Sequence, residues 1–267
     1  MELLRDRRVA LSDGAETTLQ QWGTSGPLVL GVHGVGASRR GWARIGEHLA
    51  AHVRVVAYDQ RGHGDSSARS PMTVARVLAD LGDVVASLGE PVHALMGHSW
   101  GGAVAVIGGR RLDAVGRVVA IDPMLRLGAG LWSANVLREH RATLALLPEE
   151  REASIRRSYA GLPDVEVASK VHATLRLSLE TLETLGADSE IEAGRWDYRS
   201  AVYDYPKPLL LALPDATRSV VPPDERDELR QLGGPNVHFA VFDGAGHSLQ
   251  REVFDRFIPV LEAFVQE

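Results

Sequence analysis

Short apolar runs rich in branched residues alternate along most of the chain with segments of helical periodicity. In residues 72–88, for example, Val74, Val77, Leu81 and Val84 recur at the spacing of one helix face. This alternation predicts a mostly parallel sheet with helices on both faces, in which the first two strands pair antiparallel. The eight predicted strands are residues 8–11, 17–22, 27–32, 53–58, 92–96, 117–121, 208–213 and 237–242.

The alternation stops between the sixth and seventh predicted strands. Residues 125–196 contain no strand-like run but several amphipathic helical patterns, including an apolar-rich segment at 131–147. Pro148, residues 161–163 and Gly186 are expected to divide this stretch into three or four helices. One apolar stripe is formed by Val167, Val171, Leu175, Leu179 and Leu182. The pattern predicts one α/β domain, made of residues 1–124 and 197–267 and interrupted by a helical cap at 125–196.

Composition excludes several classes of function. The chain is 45% hydrophobic and 24% charged, with a formal net charge of −6, so a nucleic-acid partner is not expected. It has no cysteine, which excludes disulfides, a cysteine nucleophile and thiolate metal sites. The apolar runs are shorter than a membrane span, and the first residues do not resemble a secretory signal. We expect a cytoplasmic protein that acts on a small molecule without metal or cofactor; the sequence does not indicate its oligomeric state.

One motif carries specific chemistry. Residues 97–101 fit the pattern G-x-S-x-G around Ser99, between the predicted strand 92–96 and the apolar helical pattern of 103–107. A sharp strand–turn–helix connection of this kind exposes a serine hydroxyl at a helix N-terminus. Ser99 is therefore the candidate nucleophile; the alternative is a glycine-rich turn in which Ser99 only caps the helix.

Four segments in order resemble the α/β-hydrolase superfamily, and the resemblance extends over nearly the whole chain. Residues 30–36 (LGVHGVG) resemble the family's oxyanion loop after the third strand, and residues 58–66 (YDQRGHGDS) its D-x-R-G-x-G-x-S loop. The Ser99 motif follows, and residues 244–248 (GAGHS) are similar to the segment that carries the catalytic histidine. The resemblance implies an α/β-hydrolase fold with a mostly parallel eight-stranded sheet and a helical cap after the sixth strand.

The same resemblance implies roles for further residues. His247 lies in a glycine-flanked loop after the last predicted strand and is expected to be the general base for Ser99. The backbone N–H groups of Val35 and Trp100 are expected to form the oxyanion hole. His98 is expected to pack beside the nucleophile, and His63 to be structural or pocket-lining.

The acid of the triad is where this sequence departs from the family. Most members place it after the seventh strand in a stretch like G-x-x-D, but here that stretch reads PDATR, without the glycine and with Asp215 displaced by one position. Other members place the acid at the end of the sixth strand, where this chain has Asp122 before a proline. Asp122 is the preferred candidate and Asp215 the alternative. In either position the acid would orient His247 and stabilise its charged form.

The expected function is cleavage of a small to medium hydrophobic carboxylic ester or lactone through an acyl-enzyme. Besides Trp100, the expected pocket-lining residues are His33, Leu131 and Trp132. Two alternatives remain: a C–C bond hydrolase acting on a β-diketone with the same residues, and a ligand-binding receptor on a hydrolase fold. The absence of the usual acid around Asp215 gives the receptor alternative its support.

Overall fold

The computed structural model describes residues 4–266, which form one sheet and the helices around it. The strands are β1 (Leu4–Ala10), β2 (Glu16–Trp22), β3 (Leu28–Val32), β4 (Arg54–Tyr58), β5 (Val92–His98), β6 (Val115–Ile121), β7 (Leu209–Pro214) and β8 (Val237–Phe242). The α-helices are α1 (Ala43–Leu49), α2 (Val74–Leu88), α3 (Trp100–Arg111), α4 (Arg138–Leu144), α5 (Pro148–Ser158), α6 (Asp164–Arg176), α7 (Leu179–Asp188), α8 (Pro223–Leu232), α9 (Leu249–Glu252) and α10 (Phe254–Gln266).

The eight strands form one sheet in the order β1-β2-β4-β3-β5-β6-β7-β8. β1 pairs antiparallel with β2, and β2 antiparallel with β4, whereas all the other pairings are parallel. This confirms the predicted fold class and the antiparallel start of the sheet. Because β3 and β5 to β8 run in the same direction, the loops that follow them meet at one edge of the sheet, where open α/β sheets bind their ligands.

Side chains of the central strands alternate between two buried layers, as the pleat of a strand requires. In β7, Leu209, Leu211 and Leu213 face the layer that also contains residues of α2 and α3. Leu210 and Ala212 face the opposite layer, which contains residues of α1 and α10. Burial on both faces explains why these strands appear in the sequence as continuous apolar runs.

Four helices, α4 to α7, lie between β6 and β7, and a π-helical segment, Trp132–Leu137, leads into α4. Two details of the predicted segmentation are wrong. Gly186 does not end a helix but lies inside α7, where a Cβ would meet the buried Trp132 ring. The single apolar stripe is divided between α6 and α7, because the Ser178 side chain accepts a hydrogen bond from Thr181 N–H and starts a new helix. The division into core and cap at residues 125 and 196 stays a prediction.

Sequence analysis missed α8, which begins at Pro223. Two signals indicate it: a proline at the first helical position and acidic side chains, Asp224 and Glu225, in the first turn. The helical segment at the C-terminal end of the described chain is divided at Val253 into α9 and α10. Within the described chain, no helix combines the length and hydrophobicity needed to cross a membrane.

Two helical glycines make a matched prediction about stability. A Cβ on Gly82 in α2 would meet no atom within 4 Å, so Gly82→Ala should raise the free energy of unfolding by about 0.5–1 kcal/mol by restricting the unfolded chain. A Cβ on Gly186 would lie 2.5 Å from Cδ1 of the fully buried Trp132. Gly186→Ala should therefore lower the free energy of unfolding by about 1–3 kcal/mol through overpacking. Urea denaturation of both variants checks this; equal effects of the same sign would contradict it.

Candidate active site

Ser99 occupies a sharp turn between the end of β5 and the start of α3. Its backbone has φ 57° and ψ −122°, a positive-φ conformation that side-chain-bearing residues rarely adopt. Ser99 N–H donates to Ile121 O at 2.9 Å, and Met124 N–H donates to Ser99 O at 2.9 Å. Two contacts with β6 and the loop after it thus hold the strained residue in place, which is typical of functional positions.

The glycines of the motif are required by close backbone approach. A Cβ on Gly97 would clash with the carbonyl oxygen of Gly101, and a Cβ on Gly101 would clash with the carbonyl oxygens of Val32 and His33. Any larger residue would therefore push α3 away from β3 and β5. The pattern of glycines around Ser99 follows from this packing.

His247 contacts Asp122. The His247 Nδ1 atom lies 2.6 Å from Asp122 Oδ2, and because a carboxylate can only accept, Nδ1 carries the proton and Nε2 is left with a free lone pair. Asp122 follows β6, has a positive φ of 39°, and is fully buried. The two residues are 125 positions apart in sequence and meet because β6 and β8 end at the same edge of the sheet.

The loop after β7 supplies donors to Asp122. Ser219 Oγ donates to Asp122 Oδ1 at 2.5 Å, and Val220 N–H donates to Oδ2 at 3.2 Å. With His247, these bonds compensate for the burial of a charged carboxylate, which is costly without partners. Sequence analysis missed Ser219, and no local signal distinguishes it from other loop serines.

Asp215, the alternative acid, does not contact His247. Its exposed carboxylate accepts hydrogen bonds from the Thr217 backbone (2.9 Å) and hydroxyl (2.8 Å) and from Gly244 N–H (3.3 Å). These bonds, those of Thr217 first, hold the pKa of Asp215 below its usual value. Asp215 therefore shapes the turn and ties it to the start of the 244–248 loop. The observation behind the receptor alternative, a missing acid, loses its force, because Asp122 supplies a carboxylate to His247.

The residues expected to form the oxyanion hole flank Ser99. Trp100 is the first residue of α3, so its N–H has no partner within the helix. Val35 lies in the turn closed by Ala37 N–H donating to Gly34 O at 3.2 Å. A Cβ on Gly34 would lie 3.1 Å from Ser99 Cβ, so this loop lies directly against the nucleophile candidate.

Buried histidines support the two loops around Ser99. His98 Nε2 donates to His247 O at 2.9 Å, and burial holds the pKa of His98 well below its usual value. His33 Nδ1 donates to Gly34 O at 2.8 Å while its Nε2 accepts from Gln60 N–H at 3.0 Å. Burial lowers the pKa of His33 to about 4 and that of His63 to about 3. We infer that these rings are neutral at pH 7 and act as structural connections.

The loop after β4 is organised by a buried ion pair between Asp59 and Arg39. Asp59 also accepts from Arg39 N–H and Asp65 N–H, both at 2.8 Å. A Cβ on Gly64 would clash with the Asp59 carboxylate, which explains the glycine at this place in the motif. The motif is therefore structural and leaves the site to the other loops.

Ser99 and His247 line one cavity of about 300 Å³. Val35 and Leu131 lie in its lining, and Leu131 is 44% exposed. Residues between β6 and β7 form much of its wall. The other lining residues are Ala37, His98, Met124, Leu127, Asn135, Val136, Glu139, His140, Tyr159, Lys170, Val220, Ser248 and Arg251.

Three expected pocket residues lie outside this lining. Trp132 is buried against Gly186, and its Nε1 donates to Leu182 O at 3.0 Å, so it holds the inserted helices together. His33 is buried behind the oxyanion loop in the hydrogen bonds described above. The Trp100 ring is buried in the core near His63, at 6.1 Å between ring centroids. In each case the aromatic ring contributes more by packing than it could at a wet surface.

Among the side chains of residues 6–266, no group of three or more His, Asp or Glu is placed to hold a metal ion.

Comparison with known proteins identifies the family of the chain. The model of the α/β hydrolase family matches residues 29–260, and the chain belongs to this family. It is 36% identical over 111 residues to the lipase LipV of Mycobacterium tuberculosis, a match that spans 41% of this chain and 42% of the lipase. The chain thus covers less than half the length of that relative.

Solved structures share the fold over the whole chain. E-2-(acetamidomethylene)succinate hydrolase superposes with a TM-score of 0.82 at 20% identity, covering 100% of both chains. An esterase from Exiguobacterium antarcticum superposes with a TM-score of 0.78 at 16% identity, covering 98% of this chain and 100% of the esterase. At this level of identity the likeness establishes the fold alone.

Proposed function

We propose that this protein is a serine hydrolase that cleaves a small to medium carboxylic ester or lactone through an acyl-enzyme. Ser99 is the nucleophile, His247 the general base and Asp122 the acid. The backbone N–H groups of Val35 and Trp100 form the oxyanion hole. Residues 125–196 act as the cap over this site.

The observation that carries the proposal is the contact between His247 Nδ1 and Asp122 Oδ2 at 2.6 Å, with His247 in the lining of the same cavity as Ser99. A serine hydroxyl is a weak nucleophile unless a base takes its proton. Asp122 holds His247 in the tautomer whose Nε2 can do so, and it stabilises the imidazolium that results.

The reaction has two halves. Ser99 Oγ attacks the acyl carbon while His247 Nε2 takes the hydroxyl proton, and the Val35 and Trp100 amides bind the oxyanion. The tetrahedral intermediate then collapses, the alkoxide leaves with the proton from His247, and an acyl-serine remains. Water repeats the sequence on the acyl-serine, releasing the carboxylic acid and restoring Ser99 and neutral His247.

The cavity supports the proposed size of the substrate. A volume of about 300 Å³ is at the lower end of small-molecule pockets. Its apolar lining is suited to an acyl chain and includes Met124, Leu127, Val136 and Val220. The likeness to a lipase of Mycobacterium tuberculosis is consistent with ester chemistry.

Covalent labelling tests the proposal directly. A fluorophosphonate reacts preferentially with a serine that a base has activated, forming a phosphonyl-serine with loss of fluoride, so we expect it to label the wild type at a ratio of one per chain, on Ser99. Peptide mass spectrometry identifies the position. Prior addition of a p-nitrophenyl ester should slow the labelling, because both compounds need the same hydroxyl.

The matched control is Ser99→Ala, which should take up no label. A folded wild-type protein that stays unlabelled, or a label on another serine that persists in Ser99→Ala, would overturn the proposed nucleophile.

A further inference from the structure

The lining of the active-site cavity contains a lysine without an anionic partner. Among the side chains of residues 6–266, the Lys170 ammonium group finds no hydrogen-bond acceptor and no ion-pair partner; it lies 5.6 Å from the centroid of the Tyr159 ring. Lys170 is only half exposed and belongs to α6. An ammonium group that is partly withdrawn from water without a carboxylate is costly, which points to an anion supplied from outside the chain.

The other cationic residue of the lining, Arg251, has a carboxylate partner. Arg251 also lines the cavity, but its Nε lies 2.9 Å from Glu166 Oε2, and both side chains are nearly buried. Glu139 is the anionic residue of the lining, yet it is exposed and is not within ion-pair distance of Lys170 in the described part of the chain. With Arg251 paired to Glu166, the charged groups left in the lining are Lys170 and the exposed Glu139, and Lys170 is the cation that has no carboxylate within ion-pair distance among the described side chains.

The two lysines of this chain differ in what surrounds their ammonium groups. The chain has only two lysines, Lys170 and Lys207. The Lys207 ammonium donates to Gly109 O at 2.9 Å and Leu112 O at 2.6 Å, at the C-terminal end of α3. Its charge thus has a structural role, whereas that of Lys170 faces the cavity.

Lys170 also lines a second cavity of about 190 Å³, which shares Glu139, His140 and Tyr159 with the first. The rest of its wall is rich in hydroxyl groups. These are the side chains of Thr143, Ser154, Ser158 and Thr174. A carboxylate can accept hydrogen bonds both from these hydroxyl groups and from the ammonium group beside them.

We propose that the acyl substrate carries a carboxylate, which binds to Lys170 in the cavity that Ser99 also lines. The substrate class is the monoester or lactone of a dicarboxylic acid. This inference rests on the proposed ester hydrolysis and adds a substrate class to it. The apolar lining holds the chain between the scissile ester and the carboxylate, and hydroxyls of the second cavity complete the coordination of the anion.

The preference for an anionic substrate should depend on pH, because it depends on the charge of Lys170. Burial, and secondarily Arg251, lowers the pKa of Lys170 to about 8, and Glu139 acts in the opposite direction. The other titratable groups around it are His140, Tyr159 and His98. Lys170 is charged below its pKa, so selectivity for the anionic substrate should be full at pH 7 and fall as the pH rises past 8.

The experiment compares monomethyl glutarate with methyl pentanoate, which has the same acyl length without the charge, by following methanol release by NMR. We expect the kcat/KM of the wild type for the anionic ester, monomethyl glutarate, to be at least roughly tenfold higher than its kcat/KM for methyl pentanoate. Lys170→Met should reduce this ratio to about one, mainly through KM, because a hydrogen-bonded charge pair is worth roughly 10- to 100-fold. Lys170→Arg should retain most of the ratio.

Lys207→Met is the matched control, because it removes the same charge outside the cavity and should leave the ratio unchanged. A wild type without preference for the anion, or equal ratios in wild type and Lys170→Met, overturns the proposal. If Lys170→Met fails to fold by its thermal transition, Lys170→Gln takes its place.

Failure of the proposed function has a different signature. In that case neither ester is hydrolysed and a fluorophosphonate leaves Ser99 unlabelled. Calorimetric titration of glutarate then tests the anion site by itself. Binding to the wild type that is lost in Lys170→Met supports the site, and the absence of binding, or equal binding to both, refutes it.

Discussion

Ser99→Ala should lower kcat for p-nitrophenyl ester hydrolysis by about 10⁶-fold, the scale on which removal of a triad nucleophile acts. KM should change little, because the cavity lining is retained. The backbone should also persist, since alanine and serine meet the same strain at φ 57°. The measurement is steady-state hydrolysis over acyl lengths of about two to eight carbons, with the thermal transition as a check on folding.

His247→Ala provides the companion measurement. The nucleophile and base act as a unit, so the double variant should lose about as much activity as either single one. Additive losses would contradict a shared mechanism. A Ser99→Ala protein that keeps more than about 1% of the wild-type rate would move the nucleophile to another residue.

The Asp122→Asn variant should lower kcat by about 10⁴-fold, the effect of presenting the wrong hydrogen-bond partner to a triad histidine. An asparagine amide can donate to Nδ1, which favours the tautomer with the proton on Nε2, and that tautomer cannot accept the Ser99 proton. The introduced NH₂ group, in the place of Oδ2, would also face the Val220 N–H donor, while the remaining carbonyl oxygen can still accept from Ser219 Oγ, so we expect a lower free energy of unfolding as well.

The matched control is Asp215→Asn, at the other position considered for the acid. Because the Asp215 carboxylate bonds to Thr217 and Gly244 rather than His247, its kcat should stay within about threefold of wild type. The pair of variants separates the two assignments by rate alone. If Asp215→Asn loses several powers of ten and Asp122→Asn does not, the acid belongs after β7 and His247 must change partners during catalysis.

The packing of the helices between β6 and β7 could not be deduced from periodicity. Gly186 lies in the last turn of α7, where Trp132 occupies the space in which a side chain would stand, and Trp132 is buried there instead of lining the pocket. Both facts depend on a contact between two helical segments that are far apart in sequence. A glycine in isolation indicates a helix end equally well.

The sequence by itself determined the sheet, its two buried faces and the turn that carries Ser99. Strand and helix periodicities reflect which face is buried, and the turn is readable as a motif of five consecutive residues, although a Cβ at position 101 would meet the carbonyl oxygens of Val32 and His33 at the end of β3. Only the tertiary structure decided that Asp122 rather than Asp215 contacts His247, and that Lys170 faces the cavity without an anionic partner among the described residues. Those outcomes depend on which loops meet at one edge of the sheet, across separations such as the 125 residues between Asp122 and His247, and no local pattern encodes such a distance.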